Sequence, residues 1–180
     1  IAVPKDTEEL KRMLTFSASY NHPLAIRYPR SGKVLFSEES EPVQVGKWEY
    51  LHKENPEKQA KATVIATGER SLIIAMKILN RLKAQGKGFD VVNARFVKPL
   101  DMAFLRNLQS ETVVTIEDNV FLGGLGSMIG GELARLEKSC KIKNFAYRDE
   151  FIPQGKVAEL QGEYGVNCIE IEEYLSKALS

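Results

Sequence analysis

Short segments rich in β-branched and apolar residues recur along the chain, and most are followed by a segment whose apolar residues have helical spacing. The clearest is residues 62–67 (ATVIAT), a pattern typical of a strand that is buried on both faces of a sheet. Strands of this kind alternating with helices predict an α/β fold, with a mostly parallel sheet and helices on both faces. The predicted strands are residues 45–51 at an edge, 62–67, 89–96, 112–116 and 142–147. The predicted helices are residues 71–84, 102–108, 127 to about 138, 156–161 and 169–179.

The first forty residues have a different pattern. Asp6 is a good N-cap with Glu9 three residues later, which predicts a helix over residues 7–20. Residues 24–28 (LAIRY) predict a short strand, and the polar, acidic stretch at 37–42 (SEESEP) predicts an exposed linker. We therefore predict a boundary near Pro42, with residues 1–42 separate from an α/β domain of residues 43–180.

The composition argues against several functional classes. The chain has 25 basic and 24 acidic residues, whereas a nucleic-acid-binding domain usually has a basic excess. No apolar run approaches the roughly 18 residues that span a bilayer, so we expect neither nucleic acid nor a membrane as a partner. Cys140 and Cys168 form no CxxC pair and are predicted to be reduced thiols. With only two histidines, a zinc site is not expected.

The glycine run at residues 123–127 (GGLGS) precedes a predicted helix, and such a run can cradle a phosphate group. Its spacing fits neither the dinucleotide-binding nor the P-loop pattern. Tight packing between the helix and the loop is therefore the favoured reason for the glycines.

Two carboxylates, Glu117 and Asp118, follow a predicted strand at the end where α/β sheets often place ligands. Because successive strand residues point in opposite directions, we expect capping of the next turn or a domain contact, and not a paired acid–base site. Residues 148–150 (RDE) form a similar charged cluster after the last strand.

The clearest candidate site is residues 27–32 (RYPRSG), where Arg27 and Arg30 follow a predicted strand and are separated by a stiff Tyr-Pro pair. Arginine matches phosphate geometry with paired donors, so this segment suits a sugar-phosphate substrate. The alternative is a structural ion pair for one arginine and a solvated position for the other. The residues alone leave both interpretations open.

Four motifs together resemble segments of the 1-deoxy-D-xylulose-5-phosphate synthase family, in the transketolase group of thiamine-diphosphate enzymes. They are IRYPRSG at 26–32, ARFVKPLD at 94–101, TIEDN with GGLGS at 115–127, and FIPQG at 151–155. The pairing of RYPR with FIPQG distinguishes this family, although Ser31 stands where the family commonly has Gly. The resemblance implies that residues 1–42 are the tail of a pyrimidine-binding domain and that 43–180 are a transketolase-type carboxy-terminal domain.

The resemblance also implies a homodimeric transferase that condenses pyruvate with glyceraldehyde 3-phosphate, with loss of CO₂, in isoprenoid and thiamine precursor synthesis. The family holds thiamine diphosphate and Mg²⁺ through a GDG…N motif that this chain lacks, so no catalytic, cofactor or metal residue is carried over. Only the substrate-phosphate contact transfers, to Arg30 by motif position, with Arg27 as second choice.

The start of the chain without Met is typical of a fragment. We expect the chain alone to be inactive, to bind no cofactor, and to need the remaining amino-terminal part of the enzyme as its partner. A bacterial cytoplasm is the expected compartment, with a plastid as the alternative. Two other readings are a fragment of a different thiamine enzyme (a transketolase or a 2-oxo acid dehydrogenase component) and a free-standing α/β nucleotide-binding or interaction domain.

Overall fold

The computed structural model describes residues 1–29, 34, 36 and 41–180. Their centre is a five-stranded sheet with the strand order β1-β3-β2-β4-β5. The edge strand β1 is antiparallel to β3, and the other three pairings are parallel, which confirms the predicted mostly parallel α/β fold. The strands are β1 Glu49–His52, β2 Ala62–Thr67, β3 Asp90–Asn93, β4 Thr112–Val120 and β5 Lys141–Tyr147.

Six helices accompany the sheet in the described part of the chain. They are α1 Thr7–Ser19, α2 Glu69–Lys83, α3 Met102–Arg106, α4 Leu125–Arg135, α5 Val157–Glu163 and α6 Cys168–Ala178. The predicted caps hold, since the carboxylates of Asp6 and Asp101 accept hydrogen bonds from the backbone at the third residue of α1 and α3. No described helix is long and apolar enough to cross a membrane.

The strands predicted at 45–51 and 89–96 are observed as the shorter β1 Glu49–His52 and β3 Asp90–Asn93. Two further predicted strands differ in other ways. Strand β4 extends to Val120, beyond its predicted end at Ile116, because pairing with β5 resumes at Val120 opposite Tyr147. Residues 117–119 are polar and have low strand propensity, so the sequence pattern does not predict this continuation. Residues 24–28 form no continuous strand, because only Ile26 makes a bridge, to Ala2.

Helices cover the two faces of the sheet in pairs. On one face, α2 and α6 pack through residues such as Leu72 and Ile171 against Val64 and Ala66 of β2. On the other face, α3 and α4 pack against residues that include Ile65 of β2. Each fully buried aliphatic side chain of these layers stabilises the fold by roughly 1.5–3 kcal/mol.

The neighbouring strands β2 and β4 send the chain to opposite faces, because β2 leads into α2 and β4 leads into α4. Such a change of direction between adjacent parallel strands opens a crevice at their carboxyl ends, where α/β proteins commonly bind ligands. The fold therefore marks the carboxyl ends of β2 and β4 as the first place to look for a site.

The amino-terminal residues pack onto this sheet. Ala2 bridges both Ile26 and Phe96, and Met13 of α1 is buried with Ala2 and Phe96 in a third, smaller core. The division near residue 42 stays a prediction.

Candidate functional site

A cavity of about 250 Å³ lies at the carboxyl ends of β2 and β4. We call it the switch crevice. Residues 67–70 line it where β2 passes into α2, Asp118 lines it from β4, and Val3 and residues 27–29 line it from the amino-terminal segment. The crevice therefore combines three parts of the chain that are distant in sequence.

Asp118 connects the charged side chains of the switch crevice. Its carboxylate Oδ2 lies 3.0 Å from Arg70 Nη1, and its backbone carbonyl accepts a hydrogen bond of 2.5 Å from Arg27 Nη2. Burial raises the pKa of Tyr147 to about 12, and the charge of Asp118 together with a hydrogen bond to it adds to this shift. Asp118 thus contacts one guanidinium group through its backbone carbonyl, and a second guanidinium group and a phenol through its carboxylate.

The structure places the predicted arginines differently. Arg27 is exposed and lines the switch crevice, whereas Arg30 lies outside the described residues. Arg70 and Thr67 also line the crevice, and the sequence reasoning missed both. The rule that selected Glu117 and Asp118, position at the carboxyl end of a strand, applies equally to residues 67–70 and would have found them.

The motifs that carry the family resemblance meet at this edge of the sheet. Arg27 also lines a neighbouring cavity of about 510 Å³, together with Val97 and Lys98 from the RFVKPLD segment and Glu117 from the IEDN segment. A further cavity of about 310 Å³ brings Ile152 of FIPQG beside Arg70 and Asp118. Residues 27–29 of RYPR and Ile152 of FIPQG therefore border the same Arg70–Asp118 ion pair, although about 120 residues separate them.

The glycine segment packs around a carboxylate of the protein itself. The two oxygens of Glu117 accept hydrogen bonds from the backbone N–H of Leu125, at 2.8 Å, and of Gly126, at 2.9 Å. A Cβ atom at Gly124 would lie 2.5 Å from Glu117 Oε2. The favoured interpretations, tight packing for the glycines and capping for Glu117, are confirmed.

Glu117 is almost fully buried, and burial raises its pKa, opposed by the N–H donors of Gly126 and Leu125 and by the charge of Arg27. Its carboxylate occupies the helix N-terminus that a phosphate cradle would need. The glycine segment is therefore not a good phosphate site.

A second polar group, which we call the buried ion cluster, comprises Lys5, Glu9, Glu49, Asn93 and Arg95. The guanidinium of Arg95 lies 2.9 Å from Glu9 and 2.9 Å from Glu49, and Lys5 Nζ lies 2.6 Å from Glu49. Burial raises the pKa of Glu9, and the charge of Arg95 is the first effect that opposes this. The cluster joins the start of α1 to β1 and to the end of β3.

The remaining candidates lie elsewhere. Arg148 and Glu150 form an exposed ion pair of 3.2 Å and do not line the switch crevice. Cys140 and Cys168 are free thiols. The described part of the chain contains no group of three or more His, Cys, Asp or Glu residues that could hold a metal ion.

Comparison with known proteins gives one family. The family model of the transketolase C-terminal domain matches residues 49–171. The 1-deoxy-D-xylulose-5-phosphate synthase of Clostridium tetani is 37% identical over 169 residues, which are 93% of this chain and 26% of the relative. The synthase of Clostridium botulinum strain Alaska E43 is 37% identical over 180 residues, which are 98% of this chain and 28% of the relative. The chain thus spans about a quarter of the length of these relatives.

Solved structures agree on the fold. A split-gene transketolase, described as an inactive β4 tetramer, superposes with a TM-score of 0.84 at 24% identity, covering 99% of this chain and 57% of that chain. Transketolase from Campylobacter jejuni superposes with a TM-score of 0.69 at 19% identity, covering 98% of this chain and 26% of that chain. The chain therefore belongs to the transketolase C-terminal domain family and is homologous to the carboxy-terminal part of 1-deoxy-D-xylulose-5-phosphate synthases.

Proposed function

We propose that this chain is the carboxy-terminal part of a 1-deoxy-D-xylulose-5-phosphate synthase, which condenses pyruvate with glyceraldehyde 3-phosphate and releases CO₂. The observation that carries the proposal is that similarity to the synthases extends over 98% of the chain, including residues ahead of the matched domain at 49–171. The approach of residues 27–29 of RYPR and of Ile152 of FIPQG to one ion pair supports it, because this pair of motifs distinguishes the synthases from other thiamine enzymes.

In this proposal the chain contributes a contact to the phosphate of glyceraldehyde 3-phosphate. Arg30 is the first choice by motif position and Arg27 the second. The exposed guanidinium of Arg27 at the switch crevice supports a role for this segment in binding an anion. Residues 1–42 then belong to the pyrimidine-binding domain and residues 43–180 to the carboxy-terminal domain.

The described residues do not fit a site for thiamine diphosphate and Mg²⁺. A Mg²⁺ ion with a diphosphate needs grouped oxygen ligands, and the described carboxylates form no group of three. The nearest candidates, Glu117 and Asp118, are already engaged by backbone N–H groups and by Arg70. We propose that the remaining part of the enzyme holds the cofactor, so that this chain alone has no synthase activity.

The proposed partners are the remaining amino-terminal part of the enzyme and a second copy of the assembly. The structural similarity to a split-gene transketolase, an inactive β4 tetramer, is compatible with assembly of this chain with the remaining part of the enzyme. The relatives are bacterial, which supports a bacterial cytoplasm as the compartment.

A chimera tests the proposed function. Replacing the aligned region of the Clostridium tetani synthase with this chain should give an enzyme that forms 1-deoxy-D-xylulose 5-phosphate from pyruvate and glyceraldehyde 3-phosphate. A chimera that assembles and binds cofactor like its parent but forms no product would overturn the proposal. Transfer of two-carbon units between sugar phosphates by the same chimera would indicate a transketolase instead.

The isolated chain provides the second arm of the test. Isothermal titration with thiamine diphosphate and Mg²⁺ should give no saturable heat, and the chain should form no product from the two substrates. Tight, saturable cofactor binding would contradict the assignment of the cofactor to the missing part.

A further inference from the structure

We propose that the switch crevice binds the phosphate group of a small phosphate monoester and that Arg70 provides a second guanidinium beside Arg27. This inference rests on the proposed function for the identity of the natural ligand, and its binding test is independent of synthase activity. Arg70 lies outside all four motifs that carry the family resemblance.

The first support is the position of the two arginines. Arg27 donates to the carbonyl oxygen of Asp118, and Arg70 pairs with the carboxylate of the same residue. Both arginines therefore contact Asp118 and line one cavity of about 250 Å³. That volume accommodates a phosphate group with a short carbon chain.

The second support is the accessible charge. Four charged residues line the switch crevice: Arg27, Glu69, Arg70 and Asp118. The Arg70 side chain is 51% exposed and that of Asp118 is 27% exposed, while Glu69 is only 8% exposed. The charge that meets solvent in the crevice is therefore mainly positive, although the formal charges balance.

The third support is the number of donors. A guanidinium group has five N–H donors in a planar fork. In the described part of the chain, Arg27 and Arg70 each donate a hydrogen bond to Asp118 through one terminal nitrogen. The remaining donors can bind the oxygens of a phosphate group, which arginine matches with paired hydrogen bonds.

The structure also provides a closely matched control. Arg81 lies on the same helix, α2, and its Nη1 is 3.0 Å from Glu172 Oε2, with the Arg81 side chain 56% exposed. The Arg70–Asp118 pair has the same 3.0 Å distance and a similar exposure. The Arg81→Gln variant thus removes the same charge from a similar ion pair outside the switch crevice.

The test is a titration of the whole chain with inorganic phosphate and with glycerol 3-phosphate at constant ionic strength, followed by the amide chemical shifts of Thr67 and Gly68. Arg70→Gln should weaken binding of both anions about tenfold, through the loss of charge-assisted hydrogen bonds. Arg81→Gln should leave the affinity within about twofold, because surface charges at a distance are screened. Equal losses in the two variants, or none in Arg70→Gln, would overturn the proposal.

A second comparison tests the role of the carboxylate. Asp118→Asn removes a negative charge that competes with the anion for Arg70, so it should tighten phosphate binding more than Glu172→Gln does. Weaker binding in Asp118→Asn would contradict this competition.

Failure of this inference is distinguishable from failure of the proposed function. If the chimera is active and Arg70→Gln leaves its KM for glyceraldehyde 3-phosphate unchanged, only the role of Arg70 is refuted. If the chain binds phosphate through Arg70 and the chimera is inactive, only the proposed function is refuted.

Discussion

Replacing Arg95 with Met should strongly destabilise the protein. Arg95 is 1% exposed and contacts the carboxylates of Glu9 and Glu49, at 2.9 Å each, and its Nη1 donates to the backbone carbonyls of Glu41 and Pro42. Without Arg95, the two buried carboxylates remain. Lys5, which pairs with Glu49, is then the remaining cation of the buried ion cluster. Removing one partner of a buried ion pair costs about 3–5 kcal/mol.

Urea unfolding followed by circular dichroism measures this loss. For a domain of this size, 3–5 kcal/mol corresponds to a fall in Tm of roughly 6–20 °C. The control is Arg106→Met on the exposed side of α3, which should change the free energy of unfolding by no more than about 0.5 kcal/mol.

The pH dependence of the loss tests its electrostatic origin. A carboxyl group whose pKa is raised by folding costs stability as the pH rises from its ordinary pKa towards the raised one. Burial already raises the pKa of Glu9, and Arg95 opposes that shift, so the Arg95→Met variant raises this pKa further. The destabilisation should therefore be larger at about pH 7 than at about pH 5. A loss below about 1 kcal/mol, or an equal loss at both pH values, would refute this reasoning.

Three further predictions concern the carboxyl edge of the sheet. Glu117→Ala should cost about 1–3 kcal/mol, because two buried N–H groups lose their acceptor, and hydrogen exchange at the start of α4 should quicken. Gly124→Ala should destabilise by about 1–3 kcal/mol in urea unfolding through overpacking, since its Cβ would lie 2.5 Å from a backbone carbonyl. Gly131→Ala, in the open middle of α4, should instead stabilise by up to about 1 kcal/mol. Asp118→Asn should lower the pKa of Tyr147 from its value of about 12, and an unchanged spectrophotometric titration would contradict this.

The fold was predictable because its signals are local. The run at 62–67 is apolar or β-branched throughout, and the predicted strand coincides with β2. The caps at Asp6 and Asp101 follow from spacing within one turn. The end of β4 was not predictable, because residues 117–119 are polar and the strand continues there only because β5 lies beside it.

The switch crevice was less predictable, because it depends on which strands are neighbours. The sequence places Thr67 and Asp118 at the ends of two strands that are separated by a helix, another strand and a second helix. Only the order β3-β2-β4 makes those ends adjacent and sends α2 and α4 to opposite faces. That order depends on pairing over long sequence separations, and the residues at strand ends carry no signal for it. Ile152 of FIPQG also lines a cavity with Arg70, so a motif that marks the family in sequence has a structural neighbour that lies outside all four motifs. For this reason Arg70, an unremarkable charged residue in the first turn of a helix, is the most informative position to change.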